Sequence, residues 1–198
     1  MGAVGAVLLA AGASTRMGSV KQLLPWKDST LLEHAIKQIS GVGVDSLVVV
    51  LGAHREQIHE QIDFTGIDVT VNSNWEKGMA TSIAAGLEYL LKKTPDLQTV
   101  LIALSDQPLL DIKYYKLLLN NSLENKLIAS SYSGNLGVPA VFDRDYFSNL
   151  LNLKGQQGAR KLLRGGSVPV ASVEAGEWAV DLDTPKSYNQ AYELHGRL

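Results

Sequence analysis

The chain contains no cysteine, which excludes thiol catalysis, cysteine-ligated zinc and a disulfide framework. That absence is compatible with the cytoplasm, the compartment expected here. No apolar run approaches the roughly 18 residues of a membrane span. The apolar opening Ala3 to Ala11 lacks the basic residues that begin a signal peptide, so it reads as the first strand of a buried sheet. The histidines are His34, His54, His59 and His195; they show no H-x-H or H-x-x-x-H spacing, which argues against a histidine metal site. No G-x-S-x-G occurs, so serine hydrolase chemistry has no support. Neither charge sign dominates: 18 Lys and Arg nearly balance 20 Asp and Glu, leaving a formal charge of −2. A general electrostatic grip on nucleic acid or on an acidic membrane is therefore not expected. Trp26, Trp75 and Trp178 are scattered and read as packing or rim residues.

What is present is the composition of an ordinary globule, 45% hydrophobic and 19% charged over 198 residues. A chain of this length buries roughly 70% of its unfolded surface and needs no metal or disulfide to hold it. With no linker, repeat or low-complexity tract, the expectation is a single domain over residues 1–198. Continuous apolar runs at Val4 to Ala10, Ser46 to Leu51 and Thr99 to Leu104 read as buried strands. Ile67 to Asn72, Leu127 to Ser131, Gly137 to Phe142 and Val168 to Val173 read as further strands. A capping box at Thr30 and Glu33 opens a helix that stops near Gly41. The other expected helices are His54 to Ile62, Ala80 to Lys93, Tyr114 to Leu123, Arg144 to Leu151, Gln157 to Leu163 and Pro185 to Leu194, the last with Pro in its first turn. Strands alternating with helices predict an α/β fold: three layers, with a Rossmann-like, mostly parallel sheet between helices.

The most informative stretch follows the first strand: Leu9-Ala10-Ala11-Gly12-Ala13-Ser14-Thr15-Arg16-Met17-Gly18-Ser19-Val20-Lys21-Gln22-Leu23-Leu24-Pro25. In an open α/β sheet this position faces the ligand crevice. Small residues let the backbone approach a ligand, glycines permit turns, and exposed amides cradle phosphates. Arg16 adds a planar fork and Lys21 a point charge, both suited to phosphate oxygens. The spacing fits neither the G-x-G-x-x-G dinucleotide fingerprint nor a Walker loop, whose Lys directly follows the second glycine.

The pattern L-A-A-G-x-S-x-R-M-G-x-x-K-x-L-L-P closely resembles the signature loop of MobA/MocA-type nucleotidyltransferases, and within them most resembles the molybdenum cofactor cytidylyltransferases. Further segments resemble the family in the same order: Asn74 to Ile83, Ser105-Asp106-Gln107-Pro108, Leu136 to Phe142, Gly155 to Lys161 and Val180 to Pro185. The resemblance implies the nucleotide-diphospho-sugar transferase type of sheet and transfer of CMP from CTP, with release of pyrophosphate, to the terminal phosphate of the molybdenum–molybdopterin cofactor. It implies nucleotide contacts at Leu9, Ala10, Ala11, Gly12, Ser14, Arg16, Lys21, Gly78 and Ser82. Catalytic roles fall to Arg16, Lys21 and Asp106, and Mg²⁺, replaceable by Mn²⁺, falls to Asp106 and Asp183. Asp181 is the alternative ligand if the register slips by one strand repeat.

From the residues alone, Asp106 reads equally as a helix cap, and Asp183 or Thr184 as the cap of the closing helix. Gly155 to Lys161, glycines ahead of Arg160 and Lys161, reads as a seat for an anionic second substrate or as a solvated turn. The partners implied are a nucleoside triphosphate, a molybdopterin-type molecule and a recipient molybdoenzyme. The same scaffold carries other acceptors. The alternatives are therefore a guanylyltransferase using GTP, a sugar- or alcohol-phosphate cytidylyltransferase, and a non-catalytic maturation factor. Ala10-Ala11-Gly12 resembles the cytidylyl branch.

Overall fold

The structure is a computed structural model that describes residues 2–156, 158–164, 169–178 and 180–197. Its centre is a seven-stranded sheet in the order β5-β4-β1-β6-β8-β7-β9. The strands are β1 (Ala3–Ala10), β4 (Ser46–Leu51), β5 (Asp68–Val71), β6 (Leu97–Leu104), β7 (Leu127–Tyr132), β8 (Asn135–Asp143) and β9 (Ala171–Glu174); β2 (Pro25–Trp26) and β3 (Ser29–Thr30) form a separate two-stranded ribbon. The helices are α1 (Leu31–Ser40), α2 (Arg55–Gln61), α3 (Met79–Lys93), α4 (Ile112–Asn121), α5 (Phe147–Leu151), α6 (Arg160–Arg164) and α7 (Pro185–Ala191).

β1 is apolar along its whole length because it is covered on both faces. Ala6, Leu8 and Ala10 pack into one core with residues of α1, α2 and α4, while Val7, Leu9 and Ala11 pack into the other with α3, α5 and α6. Side chains alternate between faces, so a strand buried on both sides reads as a continuous apolar run. α1 starts where Thr30 and Glu33 make the expected reciprocal capping box. Thr184 and Ser187 make a second one at α7. A third core of Trp26, Leu31, Leu182 and Ala191 fixes α7 against the β2–β3 ribbon.

The sheet is mostly parallel, as expected, but β8 runs antiparallel to both β6 and β7. The cause is local: β7 and β8 are joined through Ser133 and Gly134, both at positive φ (51° and 85°), the backbone of a tight hairpin turn. Three helical expectations shorten. Arg144–Tyr146 is a 3₁₀ turn ahead of α5, and Tyr192–Gly196 is a π turn beyond α7. The helix expected from Gln157 is found only over Arg160–Arg164, and Gln157 lies outside the described residues, as does Val168 at the start of the last expected strand.

Topology places the ligand edge. β1 pairs in parallel with β4 on one side and β6 on the other. The chain order therefore reverses at β1, and the loops beyond the carboxyl ends of the strands there part to leave a crevice. The register sets Ala10 beside Leu51 and Leu9 beside Leu104, which brings the loop after Ala10 next to the segment that starts at Ser105.

Candidate active site

A cleft of about 840 Å³ opens at this edge. The loop after β1 gives it Leu9 to Ala13, Arg16 and Lys21; the segment after β6 gives Asp106 and Gln107; the stretch after β9 gives Asp181 and Asp183. These three segments are far apart in sequence and tied directly to one another: the Ser105 amide donates to the Leu9 carbonyl at 3.2 Å, and the Leu182 amide to the Asp106 carbonyl at 3.0 Å.

Two cations and two carboxylates converge at one end. Lys21 Nζ donates to Asp106 Oδ2 at 2.5 Å and to Asp183 Oδ1 at 2.9 Å. Arg16 donates to Asp183 Oδ2 at 2.7 Å. The Lys21 and Asp106 side chains are only 13% and 15% exposed, whereas Arg16 is 70% exposed. Lys21 and Asp106 are therefore the sheltered pair, and Arg16 stands in solvent where its ion pair adds little to folding. Burial works against the Lys21 ammonium, but Asp106 and then Asp183 outweigh it and hold its pKa above the ordinary value. Burial likewise opposes the Asp183 carboxylate, and Lys21 and then Arg16 outweigh it and hold that pKa below the ordinary value. Asp181 goes the other way: burial first and Asp106 second push it up, against the hydrogen bond from Gln107.

The helix-cap reading of Asp106 fails on geometry. The helix that follows is capped by Asp111, whose carboxylate accepts from the Tyr114 amide at 3.0 Å. At the closing helix the cap is Thr184, which leaves Asp183 with its carboxylate turned to Lys21 and Arg16. The acidic pair suits a hard divalent cation. Both carboxylates converge on a single cationic point, the Lys21 ammonium, and Asp106 Oδ1 is buried with no hydrogen-bond partner. Among the described residues no three acidic or histidine side chains form a cage. That fits a cation of the Mg²⁺ kind, which takes one or two carboxylates and completes its shell with water and phosphate oxygens.

The other expected contacts are distributed as follows. Leu9, Ala10, Ala11 and Gly12 line the cleft, as do Gly78 and Ser82 at the start of α3. Ser14 is not on the cleft wall; its φ of 53° turns the loop, and its hydroxyl accepts from the Lys21 amide at 3.3 Å. Gly78 is required where it stands. Its φ is +110°, and a Cβ there would lie 2.6 Å from the Gly155 carbonyl oxygen. Asp181, the alternative ligand, accepts from Gln107 Nε2 at 2.8 Å.

The sequence did not single out Gln107 or Tyr132 as cleft residues. Gln107 Nε2 also donates to the Tyr132 hydroxyl at 3.2 Å, and burial pushes the Tyr132 phenol up to about 12. The proximity of Gln107 to Asp106 was a usable signal. Tyr132, brought in from the far side of the sheet, offered none. Arg160, Arg164, Gln156, Gly137 and Val138 also line the cleft.

Known proteins resemble this chain along most of its length. The chain is 32% identical to nicotine blue oxidoreductase of Paenarthrobacter nicotinovorans over 80% of each chain. It is 29% identical to the purine catabolism protein PucB of Bacillus subtilis over 92% of this chain and 93% of that one. With the molybdenum cofactor cytidylyltransferase of Escherichia coli it shares 26% identity over the full length of both. Among solved structures, Rv0371c of Mycobacterium tuberculosis superposes with a TM-score of 0.87 at 29% identity, over 96% of this chain and 97% of that one. The same protein has been solved as a complex with manganese. A nucleotidyl transferase from Methanothermobacter, 21% identical with a TM-score of 0.80, has the same fold. The profile of the MobA-like NTP transferase domain matches residues 6–173, and the chain belongs to that family.

Proposed function

We propose that the chain transfers CMP from CTP to the terminal phosphate of the molybdenum–molybdopterin cofactor. The observation that carries this reading is the convergence of Lys21 and Arg16 on Asp106 and Asp183 at one end of the cleft. The acceptor's phosphate oxygen attacks the α-phosphorus. A new O–P bond forms, the bond from the α-phosphorus to the bridging oxygen breaks, and pyrophosphate leaves with the electron pair. No protein nucleophile is needed, because a phosphate monoester is already anionic near neutral pH. What the reaction needs is two anions held in line with their repulsion suppressed, so positioning and charge neutralisation supply the catalysis.

In this reading the amides around Ala11 to Ala13 seat the triphosphate. Arg16 screens the β- and γ-phosphates, and Lys21 steadies charge building on the α-phosphate. Gly78 and Ser82 read the base, and Arg160 with Arg164, both on the cleft wall, face the anionic acceptor. Asp106 and Asp183 would hold Mg²⁺ or Mn²⁺, which when bound supplies Lewis-acid neutralisation of phosphate oxygens. The manganese complex of a structural relative and the full-length likeness to a cytidylyltransferase support these choices. The compartment of the reading is the cytoplasm, and a molybdoenzyme is the recipient of the product.

Pyrophosphate release tests it. Each of CTP, GTP and ATP is incubated with Mg²⁺ and protein, with and without the molybdopterin cofactor. Release that requires both CTP and the cofactor is the expected result. Release with GTP alone moves the chain to the guanylyl branch. Release with CTP and a sugar or alcohol phosphate replaces the acceptor. Binding without any release makes it a maturation factor.

A further inference from the structure

The loop assigned above to the triphosphate is tied down by every carbonyl from Ala10 to Ala13. Gln22 Nε2 donates to the Ala10 carbonyl at 2.8 Å and to the Gly12 carbonyl at 3.1 Å. The Ala53 amide donates to the Ala11 carbonyl at 3.1 Å. His54 Nε2 lies 3.1 Å from the Ala13 carbonyl and must be the donor, because a carbonyl only accepts. Four consecutive carbonyls are thus bound by groups of the protein. The amides of Gly12, Ala13 and Ser14 reach no acceptor among the described residues. Successive free amides on a turning backbone are the donor set of an anion nest.

Gln22 does most of this. It is only 1% exposed, yet its carboxamide makes three contacts to the loop, the third being acceptance of the Ser14 hydroxyl at 3.3 Å. Its orientation is determined, since both loop carbonyls require the NH₂ end. The Ser14 hydroxyl in turn accepts from the Lys21 amide, so the same side chain links the loop to the turn that carries Lys21. His54 sits at φ 59°, on the exposed turn between β4 and α2. Neither residue is given a role by the family resemblance.

We propose that Gln22, seconded by His54, is the positioning residue of the anion cradle. By occupying the loop's carbonyls it turns the amides toward the cleft, and it touches no phosphate itself. The proposal rests on the reading that this cleft seats a triphosphate.

Titration calorimetry with inorganic tripolyphosphate in Mg²⁺ buffer tests it, with the melting temperature of each variant measured alongside. Gln22→Met keeps the reach of the side chain and removes its donors. Gln22→Glu keeps its shape and removes its donors. Both are expected to weaken tripolyphosphate binding about 10- to 30-fold, the loss of two ordinary hydrogen bonds. His54→Ala should weaken it about threefold to fivefold with an unchanged melting temperature, and His54→Gln, which keeps a donor, should restore it. Wild-type affinity in the folded Gln22 variants overturns the proposal, even if their melting temperature falls, because the side chain then only packs. Should the Gln22 variants fail to fold, unchanged affinity in His54→Ala overturns it. If the wild-type protein binds no tripolyphosphate, the triphosphate reading itself fails, and that result is distinct from the others.

Discussion

Replacing Lys21 by Met removes the one cation that, among the described residues, touches both carboxylates. A contact ion pair is worth about 1 kcal/mol at the dielectric of water and about 4 at an effective dielectric of 20. Lys21 and Asp106, at 13% and 15% exposure, lie between these limits, so the variant should lose about 2 kcal/mol. In a domain of this size that corresponds to a fall in melting temperature of about 4–8 °C. The raised pKa of Lys21 gives the pH window. A group whose pKa is higher folded than unfolded contributes fully below the unfolded value, here 10.5, and loses its contribution as pH rises through the folded one. Melting at pH 7–8 therefore reads the whole effect.

Turnover at saturating nucleotide should fall about 10²-fold or more, the usual loss for one preorganised electrostatic contact. The informative arm is the double variant Lys21→Met, Asp106→Asn. Removing the charge left unpaired should return most of the lost stability and none of the activity. Wild-type turnover in Lys21→Met would refute the role given to the ammonium. Recovery of activity in the double variant would show that the single one failed only through folding.

Three further outcomes follow from the same geometry. Asp106→Asn keeps an oxygen for Lys21, which stays paired with Asp183; metal-dependent turnover should fall about 10²-fold or more while the melting temperature falls less than in Lys21→Met, and a loss of stability larger than that variant's would make Asp106 structural. Asp181→Asn should raise the melting temperature at pH 7: the carboxyl's pKa is pushed above its ordinary 3.8, so its ionised form costs stability above the folded pKa and nothing below 3.8. The gain should therefore vanish in melts run below that pH, and a gain that persists there would contradict the assignment. Gly78→Ala forces a side chain onto a φ of +110° and against the Gly155 carbonyl; a cost of about 1–3 kcal/mol and a raised KM for nucleotide are expected, and a variant with wild-type stability and KM would show the loop to be free to move.

The central sheet was legible because burial on both faces leaves an unbroken apolar run. β1, β4 and β6 are such runs, and the observed strands fall within a few residues of the expected ones. The capping box at Thr30 was legible because its partners are three residues apart. The direction of β8 was not, because it depends on positive φ at Ser133 and Gly134. The β2–β3 ribbon, with two residues in each strand, is too short to show a periodicity.

The motifs around the loop, Asp106 and Asp183 are short and contiguous, so these residues could be picked out in the sequence, and the structure gathers them, Ser14 excepted, on one cleft. The backing of that loop was not legible in the sequence. Gln22 reaches back 12 residues to Ala10, and His54 reaches 41 residues to Ala13, and contacts at such separations exist only once the strands have paired. The cap reading of Asp106 could be set aside only once the fold showed Asp111 at the cap position.

The most direct measurement of the account is calorimetric titration of the protein with CTP in Mg²⁺ buffer. Saturable heat is expected, weakened when Lys21 or Arg16 is replaced and lost when Mg²⁺ is withdrawn. No heat from CTP, GTP or ATP would contradict the claim that Arg16, Lys21, Asp106 and Asp183 stand together to hold a polyphosphate.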